Sequence, residues 1–86
     1  MKVYVLTSVK MTDGVLISYQ PQVFKKKEDA FSMLRRIKEE EYIPEYVEIR
    51  GYKVCTDLPE MFTASRNDDC IADSLVTISV TCTEIN

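Results

Sequence analysis

Residues 2–9 alternate: Val3, Val5, Thr7 and Val9 fall on one side, Tyr4, Leu6 and Ser8 on the other. That period of two, with its β-branched content, predicts a strand. In Thr12-Asp13-Gly14 the Asp-Gly pair readily supplies the positive φ of a hairpin turn. Alternation then resumes over 15–20, with Val15, Ile17 and Tyr19 together. Pro21 has no N–H to give a ladder, which puts it at an edge or a strand end. Over 26–40 the period changes: Ala30, Met33, Leu34 and Ile37 recur at spacings of three and four, with Ser32, Arg35, Arg36 and Glu39 opposite. This predicts a helix, with Glu28 and Asp29 favourably placed in its first turn. Pro44 should end it. Residues 45–55 read as a third strand, Val47 and Ile49 against Tyr46, Glu48 and Arg50, with Gly51 as a bulge. Residues 56–73 read as an acidic loop, with a short helix over 58–64 capped by Asp57. In the last strand Val76, Ile78, Val80 and Cys82 alternate with Thr77, Ser79, Thr81 and Thr83, so one face is core and one is wet.

The predicted fold class is therefore α+β, in the order β-β-α-β-β. A four-stranded, mainly antiparallel sheet carries one helix on one face, which satisfies the two-layer requirement. The helix stripe is expected over the face of Val3, Val5 and Ile17. That leaves Tyr4, Leu6 and Leu16 uncovered, with Tyr46 joining them from the third strand.

Length holds the chain of 86 residues to one domain, 1–86. Its 45% hydrophobic and 29% charged composition is ordinary for a globular protein. No apolar run approaches the roughly 18 residues of a membrane span, so no membrane partner is expected. The alternating Met1-Lys2-Val3-Tyr4 start is a strand rather than a signal peptide, which implies a cytoplasmic protein. Cys55, Cys70 and Cys82 are odd in number and form no CxxC, so buried thiols are expected rather than a disulfide framework. The net charge of −3 is uneven: residues 1–38 hold eight Lys/Arg against three Asp/Glu, and residues 39–86 hold three against eleven.

Candidate chemistry is sparse. There is no histidine, hence no Ser-His or Cys-His nucleophile within the chain, and no paired cysteine spacing for zinc. With Gly14 and Gly51 alone, no glycine-rich phosphate loop can form. No catalytic residue, metal site or cofactor is expected. Glu39-Glu40-Glu41 and Asp68-Asp69 read as solvated carboxylates. Lys25, Lys26 and Lys27 at the helix start, with Arg35 and Arg36, form the anion-binding candidate. The acidic balance of the whole chain weighs against nucleic acid as its partner. Tyr4, Leu6, Leu16 and Tyr46 form the interface candidate, because tyrosine combines apolar area with a hydrogen-bonding tip.

Val23, Phe24 and Ala30, following the hairpin around Asp13-Gly14, carry one resemblance. Over residues 2–40 the chain resembles a group of small uncharacterised bacterial and phage proteins, in which a hairpin leads to Val-Phe and then a helix with Ala six residues after the Phe. That group usually has Ser or Thr after the Phe, where this chain has Lys25-Lys26-Lys27. The resemblance implies half of a fold and a phage or mobile-element setting, with no catalytic residues to transfer. The leading reading is a non-enzymatic protein-interaction module whose partner is a protein or a second copy in a homodimer. In a phage setting it would inhibit or regulate a host protein. The alternative reading is small-ligand or nucleic-acid binding through the basic helix start.

Overall fold

The computed structural model describes residues 1–12, 14–68 and 71–85, with side chains placed for all of these except 67, 68 and 71–73. Along the chain come β1 (Lys2–Thr12), β2 (Val15–Ser18), β3 (Gln22–Phe24) and α1 (Lys27–Ile37). A π-wound helical segment (Lys38–Ile49) continues α1, and β4 (Lys53–Leu58), β5 (Met61–Asp68) and β6 (Ile71–Glu84) follow. The class is α+β with an antiparallel sheet, but the sheet has six strands, not four. Its order is β2-β1-β6-β5-β4, and β3 shares the outer edge of β1 with β2. The 46 Å long axis is the length of β6: fourteen residues at roughly 3.3 Å each give about 46 Å.

The first hairpin forms as the alternation predicts, with Thr12 opposite Val15 and Gly14 at φ 79°. Asp13 lies outside the described residues. Pro21 falls in the break between β2 and β3, where no ladder bond is lost. Helix α1 also keeps its predicted phase. Ala30 and Leu34 are buried, Met33 and Ile37 pack against the core, and Ser32, Arg35, Arg36 and Glu39 are exposed. Lys26 stands at the N-cap without a side-chain hydrogen bond.

The helix covers the opposite face of β1 from the one expected. Leu6 is 2% exposed and belongs to the core with Leu34, Phe62, Ala64, Val76 and Ile78. Registers fix the reason: Leu6 lies opposite Val80 and Ser8 opposite Ile78, so the even positions of β1 share the apolar face of β6. Alternation within β1 cannot choose between two apolar faces, and the strand beside it decides. Ile17, opposite Lys10, is half-exposed at the sheet edge rather than in the core.

The chain also stays helical past Pro44. Residues 45–52 form no strand. The helical segment runs to Ile49 in the wider π winding, with i→i+5 bonding. Proline normally breaks an α-helix by losing its i−4 bond and by pressing its ring on that carbonyl. Pro44 has no N–H to give the π ladder either, so it leaves one i→i+5 bond unmade inside the segment. The wider turn puts Ile37, Tyr42, Tyr46 and Val47 on the core side at spacings of four and five. Gly51, at φ 75°, terminates the segment in the left-handed conformation that suits a glycine just past a helix end. The Tyr52 N–H then donates to the Tyr46 carbonyl at 2.9 Å, one residue further back than in an α-helical cap, as the π winding requires.

Residues 58–64 are not helical either. Leu58 pairs with Met61 and Asp57 with Phe62, making a tight hairpin between β4 and β5. Phe62 is fully buried. The bulge expected near Gly51 lies instead between Val54 and Thr56 of β4. The last strand keeps its predicted alternation, with Val76 and Ile78 fully buried.

Leu34 anchors α1 on the sheet. Leu34→Ala should cost roughly 2 to 5 kcal/mol in chemical denaturation, as for other buried leucines. Arg35→Ala, on the exposed side, should shift stability by less than about 0.5 kcal/mol. The reverse ranking would contradict the packing described here.

Candidate functional site

Two surfaces carry functional potential, one on each side of the sheet. On the helix side, a groove of about 420 Å³ lies between β1, the 19–22 segment and α1. Its most unusual group is Lys10. Strand β1 points this side chain at three tyrosine rings, with Nζ 5.1 Å from the centroid of Tyr19 and 5.3 Å from those of Tyr42 and Tyr46. A cation over aromatic faces gains from their negative quadrupoles. Beside it the hydroxyls of Ser8 and Tyr42 share a hydrogen bond. Arg36, Glu40 and Glu41 form the helical wall, and Arg36 Nε donates to Glu40 Oε2 at 3.2 Å.

Tyrosine packing holds this wall. Tyr42 meets Tyr46 edge-on at 5.9 Å, and Tyr46 lies 5.3 Å from Tyr52. Tyr42 also lies 6.3 Å from Phe62. Such pairs are each worth about 0.5 to 1.5 kcal/mol beyond burial. Burial pushes the Tyr42 hydroxyl above its ordinary pKa of 10.0, against the Ser8 hydrogen bond and the Lys10 charge. Burial pulls the Lys10 ammonium down, but hydrogen bonds to Tyr19 and Tyr46 outweigh it, and its pKa stands above 10.5. Lys10 is therefore a fixed cation at neutral pH, not a nucleophile or a base.

The other surface is the helix-free face of the sheet. Registers place Val5, Thr7, Val9 and Met11 of β1 beside Thr81, Ser79, Thr77 and Leu75 of β6. Met61, Thr63 and Ser65 of β5 continue the rows. Val23 and Leu16, 62% and 65% exposed, extend them at the far edge, opposite Val5 and Met11. No Asp, Glu, Lys or Arg interrupts this face across Val5–Met11, Met61–Ser65 and Leu75–Thr81. The hydroxyls bond laterally, Thr7 to Ser79 at 3.1 Å and Thr63 to Thr77 at 3.2 Å. Their donors are partly satisfied within the face.

The interface residues read from sequence do not share a surface. Leu6 and Tyr46 are core, Tyr4 is half-buried on the helix side opposite Phe24, and Leu16 alone lies on the helix-free face. Face assignment failed because β1 is apolar on both sides. The basic cluster does not converge on one point. Lys25 and Lys26 are exposed, Lys27 lies over the Phe31 ring at 5.3 Å, and Arg36 is paired with Glu40. Arg35 lines a separate shallow groove with Lys27, Lys38 and Asp57. Sequence reasoning missed Lys10 altogether. Only the lysine's place on the inward parity of a strand, beside Leu6 and Ser8, signalled it.

The expectation of buried thiols fails for the two described cysteines. Cys55 and Cys82 are both exposed, and Cys70 lies outside the described residues. Cys82 holds the core parity of β6, but it lies opposite Tyr4, beyond the helix's cover. Cys55 sits in the β4 bulge, with its thiol 3.2 Å from the Ser65 hydroxyl. Among the described residues no cluster of His, Cys, Asp or Glu could hold a metal ion, and no helix is long and apolar enough to cross a membrane.

Cys82→Ala should change stability by less than about 0.5 kcal/mol, because an exposed side chain leaves no cavity. Native protein should titrate at Cys55 and Cys82 with a thiol reagent at near-peptide rates. Protection of Cys82 until the chain unfolds would contradict its placement. Alkaline pH gives a second check. Lys10 and Tyr42 both hold their protons more tightly folded than at their ordinary 10.5 and 10.0. The unfolded chain therefore loses them first. Their contribution is full below about pH 10 and is lost as pH rises through the folded values. Denaturation midpoints should fall above that pH, and less steeply in Lys10→Met. An equal slope in the variant would remove Lys10 from the alkaline transition.

Comparison with protein-family models, with curated proteins and with solved structures gave no match, so the functional reading rests on the geometry of these two surfaces.

Proposed function

We propose that this chain is a non-enzymatic protein-interaction module that self-associates through the helix-free face of its sheet. The observation that carries the reading is the absence of charge across the β1, β6 and β5 rows of that face, with Lys53 of β4, opposite Ser65, as a charge at its edge, in a chain that is 29% charged overall. Surfaces that stay in water usually carry charges of both signs, and the cores of interfaces are depleted of them. Valine, methionine and leucine alternating with laterally bonded hydroxyls make a surface that is poorly solvated yet free of like-charge repulsion against its own copy.

Size agrees with a reversible dimer. Ten paired residues of β1 and β6 span roughly 33 Å, and five strands about 4.8 Å apart span roughly 19 Å. Burying this face on each of two copies removes on the order of 1,200 Å² from water, the lower end of specific interfaces. Two such sheets can stack about 10 Å apart at the usual aligned angle. A two-fold arrangement closes with no surface left to propagate. The protonated state of Lys10 supports the non-enzymatic part of the reading, because it removes the amine among the tyrosine rings from nucleophilic chemistry.

Thr77→Lys places a charge at the centre of the face, opposite Val9 and Thr63. Sedimentation of the wild type should show monomer–dimer exchange with a dissociation constant of roughly 1 to 100 μM, typical of small interfaces. Thr77→Lys should be folded by circular dichroism and monomeric at the same concentrations, while Arg35→Ala should still dimerise. A wild type that stays monomeric into the high micromolar range would refute self-association. A dimer indifferent to Thr77→Lys would place the contact elsewhere.

A further inference from the structure

The groove around Lys10 lies on the other side of the sheet and is independent of the self-association reading. Four charged side chains line it: Lys10, Arg36, Glu40 and Glu41. Arg36 and Glu40 neutralise each other at 3.2 Å. Lys10 and Glu41 take part in no ion pair among the described residues, and they are one charge of each sign. The Lys10 Nζ lies 5.1 Å from the centroid of the Tyr19 ring and 5.3 Å from those of Tyr42 and Tyr46. The aromatic rings shield the cation without neutralising it, and a partly buried charge gains from an anionic partner. On the same wall Met33 and Ile37 are half-buried and offer aliphatic surface.

We propose that this groove binds a free α-amino acid with an apolar side chain. The carboxylate meets Lys10, the ammonium meets Glu41, and the side chain lies along Met33 and Ile37. The groove's 420 Å³ is in the range of small-molecule sites and generous for such a ligand. The charges select against the single-charge alternatives. A simple carboxylic acid reaches Lys10 but leaves Glu41 uncompensated beside it. A simple amine reaches Glu41 but leaves Lys10 without an anionic partner. Only a zwitterion completes both unpaired groups at once.

The test is a titration of ¹⁵N-labelled protein, followed by amide shifts, with L-leucine, L-methionine, 4-methylpentanoate and leucinamide. The two amino acids should give saturable shifts at Lys10, Tyr19 and Met33. The analogue lacking the amine and the one lacking the free carboxylate should each bind roughly two- to fivefold more weakly, the worth of one partly exposed ion pair. Glu41 is exposed and outside the core, so Glu41→Gln should keep the fold and lose about the same factor. Lys10→Met should abolish saturation. No saturable shift with either amino acid would overturn the proposal. So would equal binding of the single-charge analogues, or undiminished binding by Glu41→Gln.

Discussion

The antiparallel ladder between β1 and β6 is the constraint from which the rest follows. Ten registered pairs run from Lys2 opposite Glu84 to Met11 opposite Leu75, joining the two ends of the described chain. The seal continues beyond the ladder. The Met1 ammonium donates to the Ile85 carbonyl at 2.9 Å, and the Ile85 N–H donates to the Met1 carbonyl at 2.7 Å. These are long-range contacts with a large closure entropy to offset. β6 meets that cost from both sides, because the neighbouring β5 also pairs along it. Once β6 is fixed by its fully buried Val76 and Ile78, its parity decides which side of β1 is inside.

The helical layer answers that choice. α1 supplies Ala30 and Leu34 to the face that β6 defines, and the π-wound continuation supplies Tyr42 and Tyr46. Lys38 Nζ reaches Asp57 Oδ1 at 2.9 Å, fastening the end of α1 to β4 at the far side of the sheet. One helical layer cannot shield both faces of so wide a sheet. The helix-free outer face and the Lys10 groove are thus two consequences of one arrangement. The first is what the helix leaves bare. The second is the gap between its wall of Arg36, Glu40 and Glu41 and the β2–β3 edge.

Much of this was legible in the sequence. The α+β class, the Gly14 hairpin, the phase of α1 and the alternation of β6 all follow from local periodicity. What failed did so where local rules had competitors. Val3-Tyr4-Val5-Leu6 is apolar on both sides, so its face depends on a partner more than seventy residues away. Glu45-Tyr46-Val47-Glu48-Ile49 alternates like a strand, and Pro44 reads as a helix stop. The core instead rewards a wider winding that buries Tyr42 and Tyr46 together and tolerates the proline. β5 begins at Met61 after a two-residue turn of Pro59 and Glu60, and the acidic residues around it masked its pairing with β6. The site residues suffered most, because Leu6 and Tyr46 moved from surface to core with those two elements.

The side of β1 that meets the helix is the central claim, and through-space NMR contacts of the Leu34 methyl groups test it most directly. The account predicts cross-peaks from Leu34 to residues of its own core cluster, Leu6, Phe62 and Ile78 among them, and none to Val5, Val9 or Thr77. Cross-peaks from Leu34 to Val5 or Val9 would put the helix on the other face. They would undo both the bare surface and the Lys10 groove.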